Sequence, residues 1–355
     1  MTTKFIKQTV GIDISQKELD VSLGNMDAEA STRICAYKTF QNSEKGFTAL
    51  LLWIKKQVDV ESPIRFVMEA TGVYHEALAY FLSNKNYSVS IVMPNKITNF
   101  FRTLEGKTVT DKSMSAAIAQ FGLEKKLEDW TPPKKVFREL RQITRERDQL
   151  ICERTMLKNQ LHAEETEAYP STHTVKRIKV RVKLMNSQLK ETLDEINGHI
   201  RNDEDIAESI KLITTIPGIG ILSGAIILAE TNGFELIRSK KQLTSYAGLD
   251  VKEKESGTSV KGKSRISKRG NRHLRKAMYM PALAAIRHSE RYQAIYVRIV
   301  SRTGIKMKAG VAVQRKLLEM AYTIFKNKTP FDPIYLQKKE EVVEDNEEIM
   351  VVELV

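Results

Sequence analysis

The amino-acid sequence predicts an α/β layer domain at residues 1–130, a long helical arm at 134–203 and a mainly α-helical domain at 206–328. Three observations support this order. Short β-rich runs alternate with helical periods in the first third, apolar residues recur every seven positions in the middle, and helical periods dominate the remainder. Because single hydrophobic cores rarely grow beyond about 300 residues, a chain of 355 residues is expected to form more than one domain.

The first domain opens with three β-rich runs, FIKQTVGIDIS, ELDVSL and ICAYKTF, and the first two are close enough to pair as a hairpin. Asn42 and Ser43 then cap a helix that continues through LLLWIKKQ. The apolar run IRFVMEA is a buried strand, His75 to Leu82 is a helix, and YSVSIVM is the next strand. Three leading strands followed by alternating helices and strands are typical of an RNase H-like fold.

Proline residues delimit the helical arm. Pro132 and Pro133 end the first domain, a charged helix follows from Lys134, and Pro170 breaks that helix. Beyond the break, apolar residues repeat every seven positions on two seams, which are Val175, Val182, Leu189 and Ile196, and Ile178 and Met185. This heptad pattern predicts either an antiparallel coiled coil that provides a dimer contact or an ordinary helical hairpin packed on a core.

The segment from Ile206 to about Lys328 is predicted to be mainly helical. Within it, IPGIG contains Gly218 and Gly220 and looks like a helix-hairpin-helix turn, in which backbone amides and a helix N-terminus contact a DNA phosphate. A plain glycine turn between two helices is the alternative. Residues 329–355 are rich in acidic side chains and are expected to form a flexible acidic tail.

The composition restricts the classes of function. The sequence has no run of about 18 apolar residues and no signal peptide in MTTKFIKQTV, so we expect a cytoplasmic protein without a membrane partner. Cys35 and Cys152 do not form a C-x-x-C pair, which argues against zinc and disulfide chemistry. The net charge of +13 favours a nucleic-acid partner, because lysine and arginine replace the counterions condensed on phosphates.

The positive charge is concentrated in one segment. Between Lys252 and Lys276 the basic side chains are opposed only by Glu253 and Glu255. A stretch of this kind can neutralise several phosphates of one nucleic-acid backbone. The side chains that we expect to contact nucleic acid are those of Lys261, Lys263, Arg265, Lys268, Arg269, Arg272 and Arg275.

Three acidic residues stand where an ionised carboxylate is costly to bury. Asp13 lies within the apolar strand VGIDIS, Glu69 ends the strand of RFVMEATG, and Asp111 precedes the helix SMSAAIAQFG. Such carboxylates need a cationic partner, and a divalent metal ion is the usual one. We therefore expect the three acids to hold two Mg²⁺ ions about 3.5–4 Å apart, an arrangement that activates an attacking oxygen and stabilises a leaving oxygen on phosphate.

The motifs GIDISQKELDVSL, VMEATGVYH and TDKSMSAAIAQFG resemble the N-terminal domain of transposases of insertion sequences that are mobilised by a bridge RNA, a family related to the pilin-gene invertases. That domain is similar to RuvC, the Holliday-junction resolvase. The family has the acids Asp, Glu, Asp and Asp, the last two in a D-K-x-D pattern. Asp13, Glu69 and Asp111 match the first three, but Met114 occupies the fourth position. Ser113, Ser115 or a water molecule are the candidates to replace the missing ligand.

The segment YAGLDVKEKESGTSVKGKSRISKRGNRHLRKA is similar to the C-terminal motif of the same family, in which a serine before a glycine is the nucleophile. On this chain that serine is Ser256, and Ser245, Ser259 and Ser264 are nearby alternatives. The resemblance spans roughly residues 8–325 and implies a Mg²⁺-dependent recombinase that forms a phosphoserine link to DNA. It further implies a bridge RNA, double-stranded donor and target DNA, and a dimer or tetramer in which acids of one protomer and Ser256 of another share one composite site.

Two other functions remain open from the sequence. A RuvC-like, structure-specific nuclease would use the acids with water as the nucleophile and would not need Ser256. A non-catalytic nucleic-acid scaffold would use the basic segment alone, and Met114 at the fourth acidic position favours that interpretation.

Overall fold

The structure is a computed structural model that describes residues 5–58, 62–70, 72–104, 108–235, 237–252, 255–256, 260–261 and 265–333. The chain forms two compact units, Met1–Pro132 and Pro133–Val355. Among the described helices, none is both long and apolar enough to cross a lipid bilayer. Most of the predicted acidic tail, from residue 334 onwards, lies outside the described residues.

The first unit is built on a five-stranded sheet. Its strands, in chain order, are β1 (Lys7–Ile14), β2 (Glu18–Met26), β3 (Thr32–Gln41), β4 (Ile64–Glu69) and β5 (Ser88–Val92). They lie in the order β3-β2-β1-β4-β5, with β2 antiparallel to β1 and β3, and with β1, β4 and β5 parallel. The predicted hairpin of the first two strands is confirmed, and β1 and β4 are neighbours at the centre of the sheet.

Helices cover both faces of this sheet. The helices α1 (Glu44–Gln57) and α2 (Glu76–Ser83) pack on one face, and α3 (Pro94–Phe101) and α4 (Asp111–Glu124) pack on the other. The predicted start of α1 is confirmed, because Ser43 Oγ accepts a hydrogen bond from the amide of Gly46 at 3.3 Å. The helix α3 was not predicted, although Pro94 at its first position is a common signal for the start of a helix.

The second unit begins with the arm. Its helices α5 (Lys135–Thr166) and α6 (Thr172–Arg201) form an antiparallel hairpin, which Arg154 Nη1 and Asn186 Oδ1 bridge at 3.2 Å. Three positions of the predicted heptad are buried on α6, namely Ile178, Leu189 and Ile196. The base of both helices belongs to the hydrophobic core of the unit, while the use of the arm as a dimer contact stays a prediction.

The rest of the second unit is mainly helical, as predicted. Its helices are α7 (Glu204–Ile213), α8 (Ile221–Thr231), α9 (Lys240–Tyr246), α10 (Arg272–Ala277), α11 (Tyr279–His288), α12 (Glu290–Thr303) and α13 (Lys306–Asn327). Ile213, Leu228 and Leu317 are fully buried among them. The apolar faces of these helices therefore pack together with the base of the arm in one hydrophobic core.

Four short strands lie between α9 and α10. The strand β6 (Val251–Lys252) pairs with β9 (Arg265–Ile266), and β7 (Glu255–Ser256) pairs with β8 (Val260–Lys261), both antiparallel. Two of these four residue pairs include a β-branched side chain, which favours extended backbone. We call residues 250–267 the serine segment.

Candidate active site

The predicted acids Asp13 and Glu69 lie at the same end of two adjacent parallel strands. Ile12 pairs with Met68 in the register of β1 and β4, so Asp13 and Glu69, which follow them, stand beside each other. Glu69 is the last residue of β4. This register places the two acids on neighbouring strands at the centre of the sheet.

A third acid, Asp20, stands on the other side of Asp13. The two residues are directly paired in the register of β1 and β2, and paired residues project to the same face of a sheet. Asp20 is 8% exposed and accepts hydrogen bonds from the Tyr37 hydroxyl and, at 2.9 Å, from Thr39 Oγ1. The sequence analysis missed Asp20, although counting outward from the hairpin turn would have placed it opposite Asp13.

Two glycines bring α4 onto the face of the sheet that carries these acids. A Cβ atom at Gly11 would lie 2.1 Å from the backbone nitrogen of Ala119, and one at Gly122 would lie 2.4 Å from Thr9 Cγ2. Later residues of α4 therefore contact earlier residues of β1, so the helix runs antiparallel to the strand. The N-terminus of α4 consequently points toward the end of β1 that carries Asp13.

Asp111 is the first residue of α4 and occupies this N-terminus. A capping box fixes the start of the helix, because Thr110 Oγ1 accepts from the amide of Ser113 at 3.1 Å and Ser113 Oγ accepts from the amide of Thr110 at 2.8 Å. The partial positive charge of a helix N-terminus stabilises the Asp111 carboxylate. The structure therefore brings the third predicted acid to the same end of the sheet as Asp13 and Glu69.

The acids share one electrostatic environment. Burial, followed by the negative charges of Asp111, Glu69 and Asp20, raises the pKa of Asp13 from 3.8 to about 6. Burial and the neighbouring negative charges both disfavour the ionised carboxylate, and a bound cation beside it would offset both effects. The arrangement thus favours a divalent cation beside Asp13.

The donor set suits Mg²⁺ by its chemistry, since carboxylate oxygens are the preferred protein ligands of hard cations. Among the described residues, no three His, Cys, Asp or Glu side chains lie close enough together to hold one metal ion. The fit of Asp13, Glu69 and Asp111 to the metal therefore rests on donor type and on the raised pKa of Asp13. The pair of Mg²⁺ ions stays a prediction.

The residue at the position of the fourth family acid, Met114, takes part in hydrophobic packing. Met114 is partly buried against the apolar cluster between α3, α4 and the sheet. The two serines that the sequence offered as substitutes are already hydrogen-bonded, with Ser115 Oγ 2.8 Å from Ser22 Oγ and Ser113 Oγ in the capping box. Asp20 is instead the additional acid of this site.

The predicted nucleophile Ser256 lies in the second unit, and its backbone pairs with Val260 across β7 and β8. Ser245, one of its alternatives, is an exposed residue of α9, whereas Ser259 and Ser264 lie outside the described residues. A meeting of Ser256 with the acids of another protomer stays a prediction.

The predicted nucleic-acid contacts of the basic segment fall into three groups. Exposed side chains are those of Arg265, Lys268, Arg269 and Arg272. Arg275 is half-buried, and its Nη1 donates to the carbonyl of Ala247 at 2.8 Å, so this side chain supports the fold. Lys261 is described only through its backbone in β8, and Lys263 lies outside the described residues.

The two glycines of IPGIG have different surroundings. Gly218 has a φ of +88°, and a Cβ there would lie 2.3 Å from the carbonyl oxygen of Pro281 in α11, so packing alone requires glycine. Gly220 is the exposed N-cap of α8, and its Cβ position is open. Contact of either residue with a DNA phosphate stays a prediction.

Two family models match this chain. Residues 10–170 match the model DEDD_Tnp_IS110, described as Transposase, and residues 210–297 match the model described as the Transposase IS116/IS110/IS902 family. The first match contains Asp13, Glu69 and Asp111, and the second contains Ser256 and the basic segment. Parts of both units are therefore similar in sequence to transposase family models.

Individual relatives agree with the models. The pilin gene-inverting protein of Moraxella bovis is 29% identical over 331 residues, which are 92% of this chain and 98% of the relative. The transposase for insertion sequence element IS1328 of Yersinia enterocolitica is 22% identical over 255 residues, 65% of this chain and 73% of the relative. The solved structure of T. thermophilus RuvC with a Holliday junction substrate matches with a TM-score of 0.27 and 9% identity, over 35% of this chain and 99% of that one.

Proposed function

We propose that this protein is the cytoplasmic transposase of an insertion sequence, a DNA recombinase that joins strands through a serine. The observation that carries the proposal is the convergence of Asp13, Glu69 and Asp111 at one end of the first sheet, in a segment that matches a transposase model. The similarity of both units to that family supports a strand-transfer enzyme.

Asp13, Glu69 and Asp111 would hold Mg²⁺ in this proposal. When bound, the cation supplies positive charge that polarises a phosphodiester and offsets the charge of its transition state. The raised pKa of Asp13 supports the assignment, because mutual repulsion among carboxylates is what a divalent ion relieves. Asp20, held by Tyr37 and Thr39, contributes further negative charge from the neighbouring strand.

Ser256 would supply the nucleophile. Its Oγ forms a bond to phosphorus while the bond from phosphorus to one deoxyribose oxygen breaks, so the phosphodiester energy is kept in a phosphoserine link. The serine proton passes to a base, and the leaving deoxyribose oxygen takes up a proton. Exposed cations such as Arg265 and Arg269 stabilise the charge on the pentacovalent phosphate.

The partners follow from the same proposal. The basic segment would bind the backbones of double-stranded donor and target DNA. A bridge RNA would provide sequence recognition by base pairing, and the protein would recognise its shape. The hairpin of α5 and α6 would join protomers into a dimer or tetramer, in which Ser256 of one protomer approaches the acids of another.

The test measures a covalent protein–DNA adduct. The protein is incubated with end-labelled DNA, Mg²⁺ and the proposed bridge RNA, and the mixture is then denatured so that only covalently bound DNA stays with the protein. The full chain should form the adduct, Asp13→Asn should reduce it strongly, and Ser256→Ala should abolish it. Ser245→Ala tests the alternative nucleophile, an exposed serine of the same unit, and should leave the adduct unchanged. DNA cutting that persists in Ser256→Ala would favour a RuvC-like nuclease, and binding without an adduct or cutting would favour a scaffold.

A further inference from the structure

A buried carboxylate lies in the core of the second unit, on a helix that carries none of the residues assigned to the reaction. Glu230 belongs to the apolar helix α8, and its side chain is only 1% exposed. An ionised carboxylate at such a position is costly unless charge and hydrogen bonds compensate it. Its partners therefore indicate what this residue holds in place.

The partners come from two distant parts of the chain. Arg145 of α5 binds Glu230 with two parallel hydrogen bonds, Nε to Oε1 at 2.7 Å and Nη2 to Oε2 at 2.8 Å. Asn271 Nδ2 donates to Glu230 Oε2 at 2.6 Å. Burial opposes ionisation, but these hydrogen bonds outweigh it and lower the pKa of Glu230 below its usual value. Glu230 thus stays ionised and connects the arm to the start of α10.

Asn271 lies where the chain leaves the serine segment, and Tyr246 lies where the chain enters it. The amide of Asn271 donates to the Tyr246 carbonyl at 2.6 Å, and the Tyr246 hydroxyl donates to the Glu230 carbonyl at 2.8 Å. Glu230 is therefore hydrogen-bonded to both flanks of the segment.

Further contacts extend from this point into the serine segment. The amide of Lys268 donates to the Gly248 carbonyl at 3.1 Å, and the amide of Ser267 donates to the Asp250 carbonyl at 2.9 Å. The two flanks are thus paired step by step up to β6 and β9, which precede and follow Ser256 in the chain. Any displacement at Asn271 or Tyr246 would be transmitted along this ladder.

The arm makes a second contact with α10. Lys276 of α10 forms an ion pair with Asp148 of α5, one helical turn after Arg145. One face of α5 therefore contacts α8 through Arg145 and α10 through Asp148. The position of the arm and the position of the flanks of the serine segment are mechanically linked.

We propose that Glu230 and Arg145 are positioning residues that hold both flanks of the serine segment in register with the arm during strand transfer. The proposal rests on the proposed function for its catalytic consequence, because it treats Ser256 as the nucleophile. Neither residue contacts the reacting phosphate in this scheme. Arg145 orients the Glu230 carboxylate, which binds Asn271, and the amide of Asn271 binds the Tyr246 carbonyl and so joins the two flanks.

Two variants test the proposal in the full chain. Glu230→Gln keeps the shape of the side chain and removes its charge. Asn271→Ser removes the amide that binds Glu230 while retaining a side chain that caps helices well, so α10 should keep its start. Glu319→Gln is the matched control, because Glu319 is 13% exposed and bound by Arg315 in α13, away from the segment.

The first readout is hydrogen exchange, which needs no activity. The amides of Ser267, Lys268 and Asn271 should exchange at least about 10-fold faster in both test variants, while amides of α13 exchange at unchanged rates. The second readout is the adduct assay, in which the rate of adduct formation should fall about 100-fold while the Kd for DNA changes less than about 2-fold. Glu319→Gln should change neither quantity.

Unchanged exchange at these three amides in both variants would overturn the proposal, as would faster exchange with an unchanged adduct rate. Equal loss of adduct in Glu319→Gln would also overturn it, since a general loss of stability would then be the cause. If the unsubstituted chain forms no adduct, the proposed function fails, whereas the exchange measurement still decides whether Glu230 holds the flanks of the segment.

Discussion

Replacing Asp13 by asparagine should stabilise the first unit in the absence of metal. The carboxyl group has a pKa of about 6 in the folded chain and an ordinary value of 3.8, because burial and then the charges of Asp111, Glu69 and Asp20 disfavour its ionised form. The folded state therefore binds this proton more tightly than the unfolded state. Stability is consequently lost as the pH rises from 3.8 through about 6, and the full penalty is present at pH 8.

The size of the effect follows from the same two values. The difference between 3.8 and about 6 corresponds to about 3 kcal/mol as an upper bound. Because Asp13 is only half-buried, solvent screening reduces the expected penalty to about 1–2 kcal/mol. Asp13→Asn should therefore raise the free energy of unfolding by that amount at pH 8 and by almost nothing below pH 4.

Tryptophan fluorescence can isolate this unit within the full chain. Both tryptophans, Trp53 and Trp130, lie in Met1–Pro132, so urea unfolding followed by their emission reports on the first unit. The measurement compares Asp13→Asn with the unsubstituted chain at pH 4 and pH 8 in EDTA. Glu29→Gln, which removes an exposed acid of the same unit, is the control and should show no pH-dependent difference.

Mg²⁺ should reverse the order of stability. At about 100 times its Kd, a ligand that binds only the folded state stabilises it by about 2.7 kcal/mol, and this gain requires the Asp13 carboxylate. An Asp13→Asn variant that is less stable than the unsubstituted chain at pH 8 in EDTA would refute the reasoning. Equal stabilisation by Mg²⁺ in both proteins would refute the assignment of Asp13 as a ligand.

Three further predictions concern packing, the buried ion pair and the basic segment. Gly11→Ala should destabilise the first unit by about 1–3 kcal/mol, because the added Cβ would clash with the backbone of α4. The same fluorescence assay measures this change, and an unchanged urea midpoint would contradict it. Arg145→Met should lower the free energy of unfolding of the second unit by about 3–5 kcal/mol, because Glu230 would remain buried without its cationic partner. Circular dichroism measures this change. The double variant Arg145→Met with Glu230→Leu should recover much of the lost stability. Arg269→Gln should reduce the slope of log K against log salt for DNA by about 1, and an unchanged slope in titrations at several salt concentrations would exclude a phosphate contact.

The sequence by itself predicted the strands of the first unit and indicated three of the acids that lie at one end of its sheet, namely Asp13, Glu69 and Asp111. Asp13 and Glu69 could be recognised because each interrupts or ends an apolar run, and burial of a strand is a local property of its residues. Gly11 stood out as a glycine within a strand, but only the structure shows that it admits α4. Ser256 was different: no local pattern distinguishes it, and only the resemblance to a family indicated its role.

The tertiary structure decided which side chains meet. Asp20 joined the acidic site through the register of β1 with β2, and Met114 was placed in an apolar cluster rather than among the acids. The bond between Arg145 and Glu230 joins residues 85 positions apart. The periodicity of apolar residues along a chain predicts which residues are buried, because burial follows the local pattern of apolar side chains. It does not record which buried polar groups pair, because each pairing depends on how distant elements pack together.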